Sequence, residues 1–540
     1  MAEAADFGVF DYIVVGAGSA GCVLANRLSA DASKRVLVLE AGGQDDWMWI
    51  HIPAGYTRTI GHPRADWMFK TTPQAALGGR EVRFPRGKVI GGSSSINAML
   101  YIRGQAADYD GWRQLGLTGW AWDDVLPYFK KSEDHIDGPS DVHGAGGELR
   151  VEHARVSWPL LETIRDAAQS IGIEKIADPN AGDNAGSSYF QVTQKRGRRW
   201  SAARAFLKPV LGRANLRVLT RAVARRVVFD GVRAVGVEFE QGGQVHVAKA
   251  RGEVILAAGA VASPKLLELS GVGDGERLKA LGVNVVRHSP GVGENLQDHP
   301  QLRPAFKVRG VRTLNTDYYN LFRRAWMGAN YALFRRGPLT MSPSLLAAFA
   351  KSAPHYATPN VQYHFQPLSV EVLGRPLDRF AAFTASVCNL RPTSRGSVHA
   401  ASPDVHDAPL IDPNFLGTEE DMQVATDSLR LTRRIVAQPP LAPLRPEEFR
   451  PGPSLTTEAD LRRAAAQMCS TIFHPAGTAA MGADGDAVAV LDERMRVRGV
   501  ERLRVIDASA MPRLVSGNTN APTIMMAEKG AAMVIEDARA

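Results

Sequence analysis

The stretch from residue 10 to residue 42 constrains the fold more than any other part of the chain. It opens with the apolar run FDYIVVG (10–16), continues through AGSAGCVLANRLSAD (17–31) and closes with RVLVLEAG (35–42). In the middle segment Val23, Leu24 and Leu28 fall on one helical face, while the flanking runs are almost continuously apolar. Such runs belong to parallel strands covered on both faces. The pattern predicts a β-α-β unit whose turn reads Gly16-Ala17-Gly18-Ser19-Ala20-Gly21. Gly16 suits a tight turn, Gly18 lets backbone approach a pyrophosphate, and Gly21 permits close helix–strand packing. Ser19 and Ala20 open the helix, whose N-terminal amides favour phosphate. Glu40 follows Gly21 by 19 residues at the end of the second strand, beside Ala41. A carboxylate there accepts hydrogen bonds from an adenosine ribose. The unit predicts a bound dinucleotide and leaves NAD and FAD undistinguished.

Comparable strands return much later, as GEVILAAG (252–259) and RLRVIDAS (502–509), so one sheet is expected to gather segments from the whole chain. Residues 360–402 differ: aromatic and β-branched residues alternate with polar ones, which predicts an antiparallel sheet with one face toward a cavity or solvent. AQPPLAPLRPEEFRPGPS (437–454) reads as surface loop.

Composition narrows the partners. The 540 residues carry 64 basic and 56 acidic side chains, a net charge of +8. The basic residues are dispersed, with short clusters such as QKRGRRW (194–200) and FRRAW (322–326). Without a long basic run or a nucleic-acid module, no nucleic-acid partner is expected; a solvated surface or an anionic cofactor accounts for the charge. Cys22, Cys388 and Cys469 lie far apart, which argues against a disulfide framework or zinc site and fits a reducing compartment. No metal is expected. The start MAEAADFGVF lacks the features of a signal peptide, and no apolar window is long enough for a spanning helix. These features predict a cytoplasmic protein and leave peripheral association with the inner face of a membrane open.

Five segments carry a family resemblance: GKVIGGSSSINAMLYIRG (87–104), GAVASPKLLELSGVG (259–273), VGENLQDH (292–299), HPAGTAAMG (474–482) and VIDASAMPRLVSGNTNAPTIMMAEKGA (505–531). In content and order they resemble the signatures of the glucose–methanol–choline oxidoreductases, most closely those of bacterial choline and aliphatic alcohol dehydrogenases. The resemblance implies an α/β fold. A Rossmann-like FAD-binding domain would take residues 1–45, 80–110, 210–300 and 495–540. A substrate domain around a mostly antiparallel sheet would take 46–79, 111–209 and 301–494.

It also implies FAD contacts at Val89, Gly91 and Ser93, with Asn97, Ala98, Met99 and Leu100 lining the isoalloxazine. Val223 or Ala224 would reach the adenine, and Ala258, Asp507 and Ala508 would end strands near the flavin. Pro522 and Thr523 would set a helix N-terminus toward its pyrimidine. Trp47, Trp49 and Trp67 could line a substrate entry or pack over FAD, and core packing is the favoured reading; Trp67 is also counted among the FAD contacts. Some choline oxidases bond a histidine covalently to the flavin just before the asparagine of the first segment. Here that position is Ile96, which implies non-covalent FAD.

Among the 13 histidines, His474 in STIFHPAGTAAMG (470–482) stands out. Oxidising an alcohol requires a base for a very weak acid, and imidazole is neutral enough near pH 7 to serve. The resemblance makes His474 that base and Asn518, in SGNTNAPT (516–523), its hydrogen-bonding partner at the substrate oxygen. Asn520, the rival, reads as a cap of the helix 523–537. His364 in QYHFQ sits on a strand able to face the cavity, although packing is the plainer reading. His51, His62 and His299 lack an evident catalytic partner, and His299 reads as structural. Cys22 and Cys469 read as packing, and Ser94 lacks a hydrolase elbow.

The implied activity is oxidation of a primary alcohol to an aldehyde, with electrons leaving to a quinone, an electron-transfer protein or O2. An oxidase of choline or aryl-alcohol type and a redox-silent hydroxynitrile lyase are the alternatives. GPLTMSPSLLAAFA (337–350) and strands near 362–370 and 384–391 should form the substrate cavity. Tyr363, Phe365 and Glu371 are the candidates for holding a quaternary ammonium.

Overall fold

The computed structural model describes residues 4–371 and 375–539; residues 1–3 and 540 of the expected FAD domain lie outside the described residues. The first sheet is built from β1 (Ala5–Val15), β2 (Val36–Glu40), β3 (Leu216–Thr220), β4 (Ala222–Asp230), β5 (Arg233–Gln241), β6 (Gln244–Leu256) and β7 (Leu503–Val505). Its order is β3-β2-β1-β6-β5-β4, with β7 also on β6. The strands β3, β2, β1, β6 and β7 are parallel. Every residue of β2 is buried, which is why VLVLE carries no polar alternation. The helix α1 (Ser19–Leu28) joins β1 to β2; α2 (Gly259–Leu269) follows β6, and α3 (Asn520–Asp537) packs against α1.

The expected gathering of distant segments into one sheet is present. An antiparallel meander, β4-β5-β6, adds to it and carries no clear signal in sequence. Runs such as AVARRVVFD in β4 are only partly buried, so arginines interrupt the apolar pattern.

The second sheet is antiparallel, in the order Glu447–Arg450, Ala305–Lys307, Ala382–Asn389, Val361–Gln366, Leu346–Ala350, Gly186–Tyr189. Along Val361–Gln366 the side-chain period of two divides the strand. Val361, Tyr363 and Phe365 join the core that includes Leu429 and Ile435 of the helix Glu419–Val436. His364 and Gln366 face a cavity. One further pairing positions the chemistry: Pro300–Leu302 runs antiparallel to Ser470–Thr471, bringing the residues beside each strand together.

The stretch 437–454, read as loop, is ordered secondary structure. Pro439–Leu444 forms a 3-10 helix whose Leu441 is fully buried, and Glu447–Arg450 is an edge strand. Pro446 and Pro451 flank that strand, where a missing N–H costs no ladder bond. Helix α3 begins at Asn520, three residues before the expected start, so Asn520 is its first residue and Thr519 occupies the cap position.

Candidate active site

A cavity of about 990 Å³ lies between the two sheets, lined by the C-terminal ends of β1, β2 and β6 and by one face of the second sheet. Of the residues expected at a cofactor, Gly16, Gly18, Ser19, Ala20, Glu40, Ala41, Trp67 and Ser93 line it, as do Asn97, Ala98, Met99 and Leu100. Val223, Ala224, Ala258, Asp507, Ala508 and Thr523 complete the set. Gly21, Val89, Gly91 and Pro522 do not line it; they lie behind the wall and shape it. A Cβ on Gly21 would stand 1.8 Å from the Gly16 carbonyl oxygen, so glycine is required for α1 to pack on the turn. Gly91 has φ +87° and donates its N–H to the Ala17 carbonyl at 2.7 Å, tying the two glycine loops together. Val89 is a buried neighbour of Gly43, and Pro522 is buried in the first turn of α3.

The two loops pack backbone against backbone at the cavity wall. Gly92 has φ +52°, and a Cβ on it would meet the Gly18 Cα at 2.7 Å. Ser19, first in α1, donates its hydroxyl to Asn520 Oδ1, first in α3, at 2.7 Å. Two helix N-termini therefore meet at the cavity wall, where their dipoles favour negative charge. The Glu40 carboxylate accepts N–H bonds from Ala17 at 2.9 Å and Gly42 at 2.7 Å, bracing the glycine turn as well as lining the cavity. Burial pushes its carboxyl up to about 7 against those two bonds. Asp507 is spent internally, accepting from Gly259 N at 2.8 Å, Ser263 Oγ at 2.6 Å and Ser509 N at 2.8 Å. Trp67 stacks on Phe69 at 5.5 Å and lies under Lys88 Nζ, so it both packs and lines.

His474 and Asn518 face each other in the cavity, with Asn518 Nδ2 3.0 Å from His474 Nε2. The other ring nitrogen of His474 is 3.0 Å from His299 Nδ1, and His299 Nε2 is 3.1 Å from the Leu390 carbonyl. These contacts fix the protons by elimination. A carbonyl only accepts, so His299 carries its proton on Nε2. Burial pushes the His299 imidazole down to about 3, so it is neutral and its Nδ1 is a bare acceptor. His474 must then donate from Nδ1. Burial, with His299, His364 and Arg86 nearby opposing a further positive charge, holds His474 well below the usual histidine value, so it is neutral and its Nε2 is an acceptor. Asn518 donates to that nitrogen, and its own oxygen accepts from Gln362 Nε2 at 3.4 Å.

The backbone around His474 is over-determined. Asp298 accepts from His474 N at 2.8 Å and from Thr471 Oγ1 at 2.5 Å, while Thr471 Oγ1 accepts from Phe473 N at 2.6 Å. Arg86 donates to the Phe473 carbonyl at 2.7 Å, and Phe473 sits at φ +72°. Gly477 has φ +89° and a Cβ there would strike the Asn295 carbonyl oxygen at 2.7 Å. Burial pushes the Asp298 carboxyl up to about 6, opposed by Thr471 and the His474 amide.

Three residues here escaped the sequence reading. His299, assigned a structural role without a partner, touches His474 directly. Asp298, next to it, anchors the backbone of His474. Arg199, given no individual role within a basic cluster read as solvated surface or an anionic-cofactor site, is 1% exposed. It donates to the Ser94 carbonyl at 3.1 Å, Asn97 Oδ1 at 2.8 Å and the Asn97 carbonyl at 2.8 Å, so it clamps the loop carrying the cavity-lining residues. His364 lines the cavity, stacks on Phe190 at 5.1 Å and leaves Nε2 without a hydrogen-bond partner. Cys22 and Cys469 are buried, as packing residues should be.

Profiles of the GMC oxidoreductases, N-terminal and C-terminal, match residues 10–301 and 392–527. The chain belongs to the GMC oxidoreductase family. It is 42% identical to mitochondrial choline dehydrogenase of Homo sapiens over 97% of this chain and 89% of that protein. It is also 42% identical to an alcohol dehydrogenase [acceptor] of Pseudomonas putida, over 98% of this chain and 96% of that one. Its fold matches an FAD-dependent oxidoreductase from Chaetomium thermophilum with TM-score 0.89 and 29% identity, covering 98% and 100% of the two chains. The chain is therefore an oxidoreductase acting on CH–OH groups, in a family that binds FAD. The cavity suits that cofactor: Gly18 and Gly92 present bare backbone in its wall, where a pyrophosphate can approach closely, and two helix N-termini border it.

Proposed function

We propose that this GMC oxidoreductase oxidises a primary alcohol to an aldehyde, with His474 as base and Asn518 as hydrogen-bond donor to the substrate oxygen. The tautomer chain from Leu390 through His299 to His474 carries the reading, because it leaves a lone pair on the one ring nitrogen that faces the cavity. An alcohol placed there takes over from Asn518 Nδ2 as the donor to His474 Nε2. As the proton moves, Asn518 Nδ2 donates to the oxygen on which charge develops, in a site shielded from water. General-base help of this kind is worth about 10²–10⁴ in rate. FAD, when bound, supplies the acceptor for the α-hydrogen as hydride. Gly16, Gly18, Ser19 and Gly92 would hold its phosphates and Asn97 to Leu100 would border its ring. The buried aliphatic Ile96 offers no atom for a covalent link, which supports non-covalent FAD.

Choline is the less suitable alcohol. Of the residues expected to cage an ammonium, Tyr363 and Phe365 point into the core, the tyrosine hydroxyl lying 3.2 Å from the Ser428 carbonyl. Glu371 is not in the cavity wall. Among the described residues, no cavity-lining residue on the strands of the second sheet carries a carboxylate. Asp407, on the connection from Asn389 to Glu447, lines the cavity beside Lys265, whereas half-buried Arg303 stands next to Gln366. Its Nη2 donates to Gln366 Oε1 at 3.2 Å, and among the described residues it has no acidic partner. A neutral or anionic alcohol fits this end better than a cation. The dehydrogenase reading, with a quinone or electron-transfer protein as acceptor, rests on likeness to the Pseudomonas putida enzyme.

The test is anaerobic: choline, aliphatic and aryl alcohols are each added to the holoenzyme while the flavin's visible band is followed. Bleaching by neutral alcohols at lower concentration than by choline is expected. No bleaching by any alcohol, with aldehyde released from a cyanohydrin, would replace the reading with a lyase.

A further inference from the structure

The helix Leu321–Phe334 is held to the protein by one narrow seam. Met327 and Tyr331, one turn apart, are its only buried residues. On the opposite side Phe322, Trp326 and Leu333 form a stripe at helical spacing, and they are 90%, 61% and 71% exposed. Leu321 at 77% and Phe334 at 58% are also exposed, at the two ends of the helix and to either side of the stripe. Large apolar side chains this exposed, contiguous on one helix, mark an interaction surface.

Charge says what covers it. From Tyr318 to Val370 the sequence holds no aspartate or glutamate, while Arg323, Arg324, Arg335 and Arg336 lie on or beside the helix. Arg323 pairs with Asp317 at 2.7 Å. Arg324 and Arg335 instead lie over the rings of Tyr318 and Tyr331, each at 4.8 Å, and have no acidic partner among the described residues. A Trp/Phe/Leu stripe flanked by arginines is the composition of a helix lying in a membrane interface. A second copy of the chain is a poorer occupant, because a two-fold contact would set these arginines against their own copies. Among the described residues no helix is long and apolar enough to cross a bilayer, so attachment would be from one side.

We propose that this helix docks the protein on an anionic lipid surface, with Phe322, Trp326 and Leu333 below the headgroups and the arginines at their level. Tyr318, Arg324, Met327 and Gly328 also line the cavity. Docking therefore turns the cavity mouth toward the lipid, where an amphiphilic alcohol or a lipid-soluble acceptor concentrates.

The holoenzyme is sedimented with vesicles of phosphatidylcholine containing phosphatidylglycerol, and with phosphatidylcholine alone. Binding to the anionic vesicles, weakened by salt, is expected. Phe322→Ser/Trp326→Ser/Leu333→Ser should bind on the order of 100-fold more weakly. Arg335→Gln/Arg336→Gln should lose about tenfold. Both variants should keep wild-type flavin reduction with a water-soluble alcohol, which shows that they fold. Wild-type protein left in the supernatant, or triple-variant binding equal to wild type, overturns the proposal. A dimer in sedimentation velocity that the triple variant dissolves, without vesicle binding, assigns the face to a second copy instead.

Discussion

Replacing His299 tests the proton arrangement without touching the base. In His299→Phe the ring volume is nearly kept, but His474 loses the acceptor for its Nδ1–H. A buried donor without a partner costs about 1–3 kcal/mol. The imidazole avoids this by moving its proton to Nε2, where the Asn518 side chain can rotate to accept it. If about 2 kcal/mol favours that shift, roughly one molecule in thirty keeps the tautomer able to take a proton. Flavin reduction at saturating alcohol, followed anaerobically by stopped flow, should then slow roughly thirtyfold, with FAD content and substrate affinity little changed. His299→Gln supplies an oxygen for His474 and an N–H for Leu390 and should recover most of the rate. Wild-type reduction by a fully FAD-loaded His299→Phe protein would refute the reasoning.

Three further outcomes follow from the site. Gly92→Ala places a Cβ 2.7 Å from the Gly18 Cα at φ +52°, so the protein should purify with little FAD, read from the ratio of flavin to protein absorbance. Arg199→Lys keeps one charge but loses the planar fork that holds Ser94 and Asn97; a fall of about 3 kcal/mol in stability and weaker FAD retention are expected in a denaturant titration. Asp298, raised from 3.8 to about 6, must be ionised to accept from both His474 N and Thr471, so reduction should fall as pH drops through about 6. Stability runs the other way. A carboxyl raised on folding contributes fully below 3.8 and loses that contribution as pH rises through about 6. Asp298→Asn should flatten both profiles.

The β-α-β unit was legible because its strands are buried on both faces and its glycines answer to backbone clashes, as at Gly16 and Gly21. The meander was not, since half-exposed strands tolerate the arginines that break an apolar pattern. His474 was found through the company of other motifs. Its partner His299 was not, because the two lie 175 positions apart and meet through the pairing of Pro300 with Thr471 and of Gln297 with Ala476. Arg199 shows the same limit: a basic cluster states charge but not which side chain turns inward. The aromatic cage failed on parity. Tyr363 and Phe365 occupy the core face of their strand and His364 the cavity face, and a run buried on both sides does not reveal which is which.

Anaerobic flavin reduction by His474→Ala bears most directly on the central claim that His474 takes the substrate proton. With FAD content equal to wild type and a saturating neutral alcohol, the rate should fall by about 100-fold or more. Reduction within a few-fold of wild type would remove His474 as the base.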